Sequence, residues 1–129
     1  MAKLLLVEDQ EAMRRSLTTL LTLDGHQVLT AENLTEARKV LLEERVDLVL
    51  LDVYLSGKEQ PEISGYEILD FIQRTPALNQ TQVIMTSGLD YTHQTLEAGA
   101  DGFLQKPYMP EDLQIMIQDV LSQRSNSDR

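Results

Sequence analysis

A chain of 129 residues suits one domain, and a hydrophobic content of 42% is enough to pack a single core. Its 11 basic and 21 acidic residues leave a net charge of −10, a field that repels phosphate backbones and favours divalent cations and basic partner surfaces, so nucleic-acid binding is not expected. The absence of cysteine excludes thiol catalysis, disulfides and cysteine-ligated zinc, and no apolar run approaches the ~20 residues of a membrane span.

The first apolar run, residues 4–7, is short and continuous, as in a strand covered on both faces. Met13, Leu17, Leu20 and Leu21 follow at helical spacing, with Arg14, Arg15, Thr18 and Thr22 opposite them. Gly25 is placed to end that helix. A second strand spans residues 28–31, and Asn33 with Glu36 reads as an N-cap and its capping-box acid. Further strands are expected at residues 48–51, 83–85 and 102–104, with a short, weakly patterned helix around Leu96. Pro110, Glu111 and Asp112 suit the first turn of a last helix, whose apolar stripe is Leu113, Met116, Ile117, Val120 and Leu121. The domain is expected to cover residues 1–123, with the polar residues 124–129 as a flexible tail or the start of a linker. Five βα units in sequence imply an α/β fold with a parallel sheet and right-handed crossovers. Such sheets bind ligands outside the carboxyl ends of their strands.

The strand ends carry a non-random set. Glu8 and Asp9 follow the first strand, Asp52 the third, Thr86-Ser87-Gly88 the fourth and Lys106-Pro107 the fifth. The second ends in Ala31-Glu32, with no comparable feature. Three carboxylates brought together repel, and each raises the pKa of its neighbours. A hard cation such as Mg²⁺ relieves that conflict, using one or two carboxylates together with water and phosphate oxygens. A lysine adds positive charge and a serine adds a hydrogen-bond donor. Phosphoryl transfer asks for little beyond such positioning and charge neutralisation. Of the two hydroxyls after the fourth strand, Ser87 precedes a small residue and is the one expected at the site, with alternation turning Thr86 elsewhere.

These residues resemble the receiver domain of two-component response regulators, over residues 2–123. The resemblance implies a flavodoxin-like (βα)5 doubly wound fold with five parallel strands in the order 2-1-3-4-5. It implies that Asp52 is the phosphoacceptor, that Asp9 and Asp52 ligate Mg²⁺ with the backbone carbonyl of Tyr54, and that Glu8 acts through water. It makes Lys106 a catalytic cation, Ser87 the switch hydroxyl and Phe103 the aromatic switch residue, turning inward on phosphorylation. The partners implied are a sensor histidine kinase or a histidine-containing phosphotransfer protein, and a downstream effector protein or domain, in the cytoplasm and away from the membrane. One departure stands out. The Pro-x-x-x-Gly pattern after the phosphoacceptor falls at Pro61 to Gly65, displaced by five residues, so residues 56–60 read as a polar insertion beside the site.

Taken singly, each residue has a plainer reading: a strand-end carboxylate, a surface lysine, a core phenylalanine. Their joint occurrence at the ends of the right strands favours the functional one. His26 and His93 stand alone and are assigned to surface or packing. A phosphohydrolase with an aspartyl nucleophile is the rival from another class. It calls for a second Asp two residues after the first, where this chain has Tyr54, so a phosphoacceptor and not a turnover enzyme is expected. A dinucleotide enzyme is disfavoured, since no Gly-x-Gly-x-x-Gly follows the first strand. The chain reads equally as a single-domain regulator or as the receiver half of a longer one. The resemblance also puts Tyr54 and Leu89 at the positions that flank the approach of water to a phosphorylated Asp52, which implies slow loss of the phosphoryl group.

Overall fold

The structure, a computed structural model, describes residues 2–54 and 61–127. The insertion at residues 56–60 lies outside the described residues. Strands β1 (Lys3–Val7), β2 (Gln27–Ala31), β3 (Leu48–Asp52), β4 (Gln82–Ser87) and β5 (Gly102–Gln105) alternate with helices α1 (Glu11–Leu23), α2 (Leu34–Glu43), α3 (Pro61–Arg74), α4 (Thr92–Glu97) and α5 (Pro110–Ser127). A 3-10 turn, Pro76–Leu78, precedes β4. All strand pairs are parallel, in the order β2-β1-β3-β4-β5. That is the expected doubly wound flavodoxin-like topology.

Alternation along the strands builds two apolar layers. Leu5, Val7, Val49, Leu51, Val83 and Met85 face one side, against Ala37 and Leu41 of α2 and Ile68 and Ile72 of α3. Leu4, Leu6, Leu48, Leu50 and Ile84 face the other, against Leu17 and Leu21 of α1 and Leu113 and Ile117 of α5. Burying both faces is what makes β1, β3 and β4 continuous apolar runs in sequence. Each of these Leu, Ile, Val and Met side chains contributes about 1.5–3 kcal/mol by leaving water.

Local signals set the helix ends. Gly25 has φ +93°, and the N–H groups of Gly25 and His26 donate to the carbonyls of Thr22 and Leu21, closing α1 in a Schellman motif. Gly99 does the same for α4 with φ +105°. Asn33 Oδ1 accepts the N–H of Glu36 at 2.9 Å, while Glu36 Oε1 takes the N–H of Glu32 rather than that of Asn33 itself. Helix α5 runs to Ser127, four residues past the expected end of the domain. No glycine or proline stands in residues 122–127 to stop it. Among the described residues no helix is long and apolar enough to cross a membrane.

Candidate functional site

The carboxyl ends of β1, β3, β4 and β5 meet at a depression of about 190 Å³, lined by Glu8, Asp9, Gln10, Asp52, Tyr54, Thr86, Ser87, Gly88 and Lys106. All the sequence-predicted site residues except Phe103 are in that lining. The sheet order explains the convergence. β1 and β4 flank β3, so the residues that follow them stand on either side of Asp52.

Asp52 Oδ1 is the focus of the contacts. Lys106 Nζ approaches it at 2.7 Å, and the Thr86 hydroxyl donates to the same oxygen. The Thr86 contact corrects the expectation that this side chain turns away. Parallel pairing puts Asp52 directly opposite Thr86, and paired residues in a sheet point to the same face. Ser87 lines the depression as well, and its Oγ accepts the N–H of Leu89 at 3.2 Å. Its backbone carbonyl takes the N–H of Lys106 at 2.8 Å, tying β4 to the loop that carries the lysine. The Lys106–Pro107 peptide bond is cis.

Glu8 is buried, and its Oε2 accepts the N–H of Gln10 at 3.0 Å. Burial raises its pKa above the usual carboxylate value, the Gln10 N–H opposes that, and the charge of Asp52 adds to it. Asp9 is half-buried at the mouth. Arg14, on the first turn of α1, donates to the Glu8 carbonyl at 2.9 Å and pairs with Glu32 at 3.1 Å, pinning the acidic loop to the end of β2. Glu32 carried no functional signal in the sequence. Tyr108 lies two residues beyond Lys106; burial, Asp52 and Glu8 together push its phenol up to about 12.

The aromatic residues lie as follows. Phe103 is 7% exposed, paired across β4–β5 with Met85 and inside the core. It already sits inward, so this conformation leaves no inward swing to make. Tyr54 hydrogen-bonds through its hydroxyl to that of Tyr91, and the two rings meet edge to face with centroids 5.7 Å apart. Leu89, the other expected flank, is 60% exposed. His26 Nδ1 accepts the N–H of Ala2, and His93 pairs with Glu97 on the exposed face of α4, in keeping with their assignment away from the site.

Gly65 links the displaced Pro-x-x-x-Gly pattern to the site. Its N–H donates to the Val53 carbonyl at 3.0 Å, and its Cα packs on the backbone of Asp52 and Val53 so closely that no side chain fits. The glycine thus meets the end of β3 despite five extra residues in the connection.

The donor set suits an open metal site. Among the described residues no three carboxylate or imidazole groups close into a cage by themselves. Mg²⁺ does not need one, because it keeps several waters and takes one or two carboxylates. Asp9 and Asp52 at the depression, with buried Glu8 behind them, meet that requirement.

Comparison with known proteins agrees. The family model of the response regulator receiver domain matches residues 4–118. The chain is 38% identical over 123 residues to the transcriptional regulatory protein AfsQ1 of Streptomyces coelicolor, covering 94% of this chain and 52% of that protein. It is 30% identical to the phosphate regulon transcriptional regulatory protein PhoB of Pseudomonas aeruginosa, covering 97% of this chain and 54% of PhoB. The chain thus spans about half the length of the curated relatives it matches. Among solved structures, the chemotaxis protein CheY4 of Vibrio cholerae superposes with a TM-score of 0.81 at 28% identity, covering 93% of this chain and 98% of that one. With its sheet order, its strand-end residues and this family match in agreement, the chain belongs to the response regulator receiver domains of two-component signalling.

Proposed function

We propose that Asp52 is the phosphoacceptor and takes its phosphoryl group from a sensor histidine kinase or a histidine-containing phosphotransfer protein. The observation that carries this reading is the Asp52 carboxylate, held by Lys106 and Thr86 beside the acidic pair Glu8 and Asp9. An oxygen of Asp52 attacks phosphorus, the phosphorus–nitrogen bond of the donor breaks, and the donor ring, protonated on its other nitrogen, departs as neutral imidazole. Lys106 balances the charge that builds on the phosphoryl oxygens. Asp9, Asp52 and the Tyr54 carbonyl, with Glu8 through water, would hold Mg²⁺, which supplies the remaining positive charge when bound. Ser87 is the hydroxyl that bonds the new phosphoryl oxygens.

The donor reaches the site over an apolar groove of about 640 Å³ between α1 and the loop after β5, lined by Met13, Leu17, Leu20, Pro107 and Tyr108 and ending at Lys106. Phosphorylation adds charge and acceptor oxygens at Asp52 and shifts the population of the face formed by α4, β5 and α5. An effector protein or domain in the cytoplasm reads that shift, and any contact with DNA belongs to the effector. The domain is a signalling acceptor rather than an enzyme with turnover. The alternative of an aspartyl-nucleophile phosphohydrolase gains nothing from the site, because the side chain two residues after Asp52 is engaged with Tyr91.

The test is intact mass after exposure to a small acyl phosphate. One phosphoryl group is expected with Mg²⁺, none with chelator and none on Asp52→Asn. Equal labelling of Asp52→Asn overturns the assignment.

A further inference from the structure

We propose that Tyr91 is a positioning residue for the chemistry at Asp52: its hydroxyl holds the Tyr54 ring on the wall of the site, and so sets how fast water removes the phosphoryl group. The inference rests on Asp52 being the phosphoacceptor. Hydrolysis joins a water oxygen to phosphorus, breaks the bond to the Asp52 oxygen, and releases inorganic phosphate with the carboxylate restored. Water must reach phosphorus from the side opposite the breaking bond, and Tyr54 lines the depression that holds Asp52.

A tyrosine ring on a loop does not stay in one place unless something holds it. Here the hydroxyls of Tyr54 and Tyr91 are hydrogen-bonded and the rings pack edge to face, with an interplanar angle of 69°. Both rings are half-buried against the core layer that contains Val53 and Met85, and Tyr66 packs on the same layer. The phenol of Tyr66 is raised by burial and by Tyr91.

Beyond packing on the core layer, the Tyr91 side chain takes no part in capping its own helix. Tyr91 occupies the N-cap position of α4 without a side-chain cap. Asp90 does that work, accepting from the N–H and hydroxyl of Thr92 at 3.1 and 2.6 Å. The Tyr91 carbonyl is anchored separately, by the N–H and hydroxyl of Thr95 at 2.9 and 2.8 Å. Removing the phenolic oxygen therefore leaves the helix start intact and takes away the hydroxyl contact to the Tyr54 ring. The consequence is that α4, part of the face read by partners, is fastened to the wall of the site, so the lifetime of the signal depends on the helix that reports it.

The experiment follows loss of phosphoryl by intact mass in Mg²⁺ buffer after a small acyl-phosphate donor is removed. It compares wild type, Tyr91→Phe, Tyr54→Phe and the double variant, with thermal melts in parallel. Each single change is expected to shorten the lifetime roughly three- to tenfold, the scale of one lost hydrogen bond, with the double variant no faster than the quicker single. Melting midpoints should stay within a degree or two of wild type. An unchanged lifetime in Tyr91→Phe, effects that multiply in the double variant, or a lifetime that falls only in step with the melting midpoint each overturn the inference. A wild type that takes no phosphoryl group overturns the phosphoacceptor reading itself and this inference with it.

Discussion

Replacing Gly65 with alanine tests how α3 is seated against the site. A Cβ at this position would stand 2.9 Å from the Val53 Cα, 3.0 Å from the Met85 Cε and closer still to the Asp52 carbonyl oxygen. The methionine tip can yield, but the two backbone atoms belong to the end of β3 and cannot move without shifting Asp52. Overpacking against a fixed neighbour costs about 1–3 kcal/mol, and the upper end applies where backbone is struck. Alanine in a helix recovers about 1 kcal/mol relative to glycine, which leaves a net loss of about 2 kcal/mol. With an unfolding entropy of roughly 2.1 cal/mol/K per residue, a chain this size should lose about 7 °C in melting midpoint. Phosphorylation by a small acyl phosphate should slow as well, because the clash pushes on the peptide that carries the acceptor. Urea or thermal melts of the two proteins, with donor kinetics beside them, make the comparison. An alanine variant as stable as wild type or more so would refute the close seating. It would also imply that α3 does not start against β3 as described.

Mg²⁺ should stabilise the fold, by about 2.7 kcal/mol at 100 times its Kd, and Asp9→Asn should lose most of that gain; an equal gain in the variant, read by melts with and without chelator, would exclude Asp9 as a ligand. The phenol of Tyr108, pushed up to about 12, keeps its proton in the folded state where the unfolded chain releases it near 10. Its contribution is therefore fully present below pH 10 and lost as pH rises toward 12, and Tyr108→Phe should flatten that alkaline limb in urea melts. Deleting residues 56–60 should leave Mg²⁺-dependent phosphorylation by small donors intact while changing transfer from the cognate kinase, since Gly65 meets the end of β3 through contacts with Asp52 and Val53; a folded deletion variant that no longer accepts phosphoryl would show that the loop builds the site. Met13→Glu, which charges the groove beside α1, should cut transfer from a protein donor tenfold or more and leave small-donor labelling unchanged.

The sequence made the frame of the site readable because the frame depends on chain order. Apolar runs covered on both faces gave the strands, and the residue after each strand gave the chemistry: Glu8 and Asp9, Asp52, Lys106. Gly25 and Asn33 were legible because a helix end needs specific local atoms. Thr86 was misjudged for want of a quantity that the sequence does not carry, the register of β3 against β4. Within one strand, alternation tells Thr86 from Ser87, but only the pairing of Asp52 with Thr86 says which of them shares its face. Tyr91 was invisible for a similar reason: its partner lies 37 positions away, and no spacing rule joins them. The burial of Phe103 is one setting of a side chain, and a family pattern specifies a position rather than a setting. That α5 continues to Ser127 was not legible, because a polar stretch without a stop signal reads the same whether it is coil or helix.

The place of β3 in the sheet has a further consequence. It is the middle strand, hydrogen-bonded to β1 on one side and β4 on the other. Its amides should exchange with solvent deuterium only when the whole domain opens. The six-residue helix α4 is held by few of its own hydrogen bonds and should exchange through local fraying at much lower free energy. Charge would then arrive on the most protected strand of the molecule and be displayed by its least protected helix. A deuterium uptake map taken before and after phosphorylation should change at residues 92–97 while residues 48–52 stay silent.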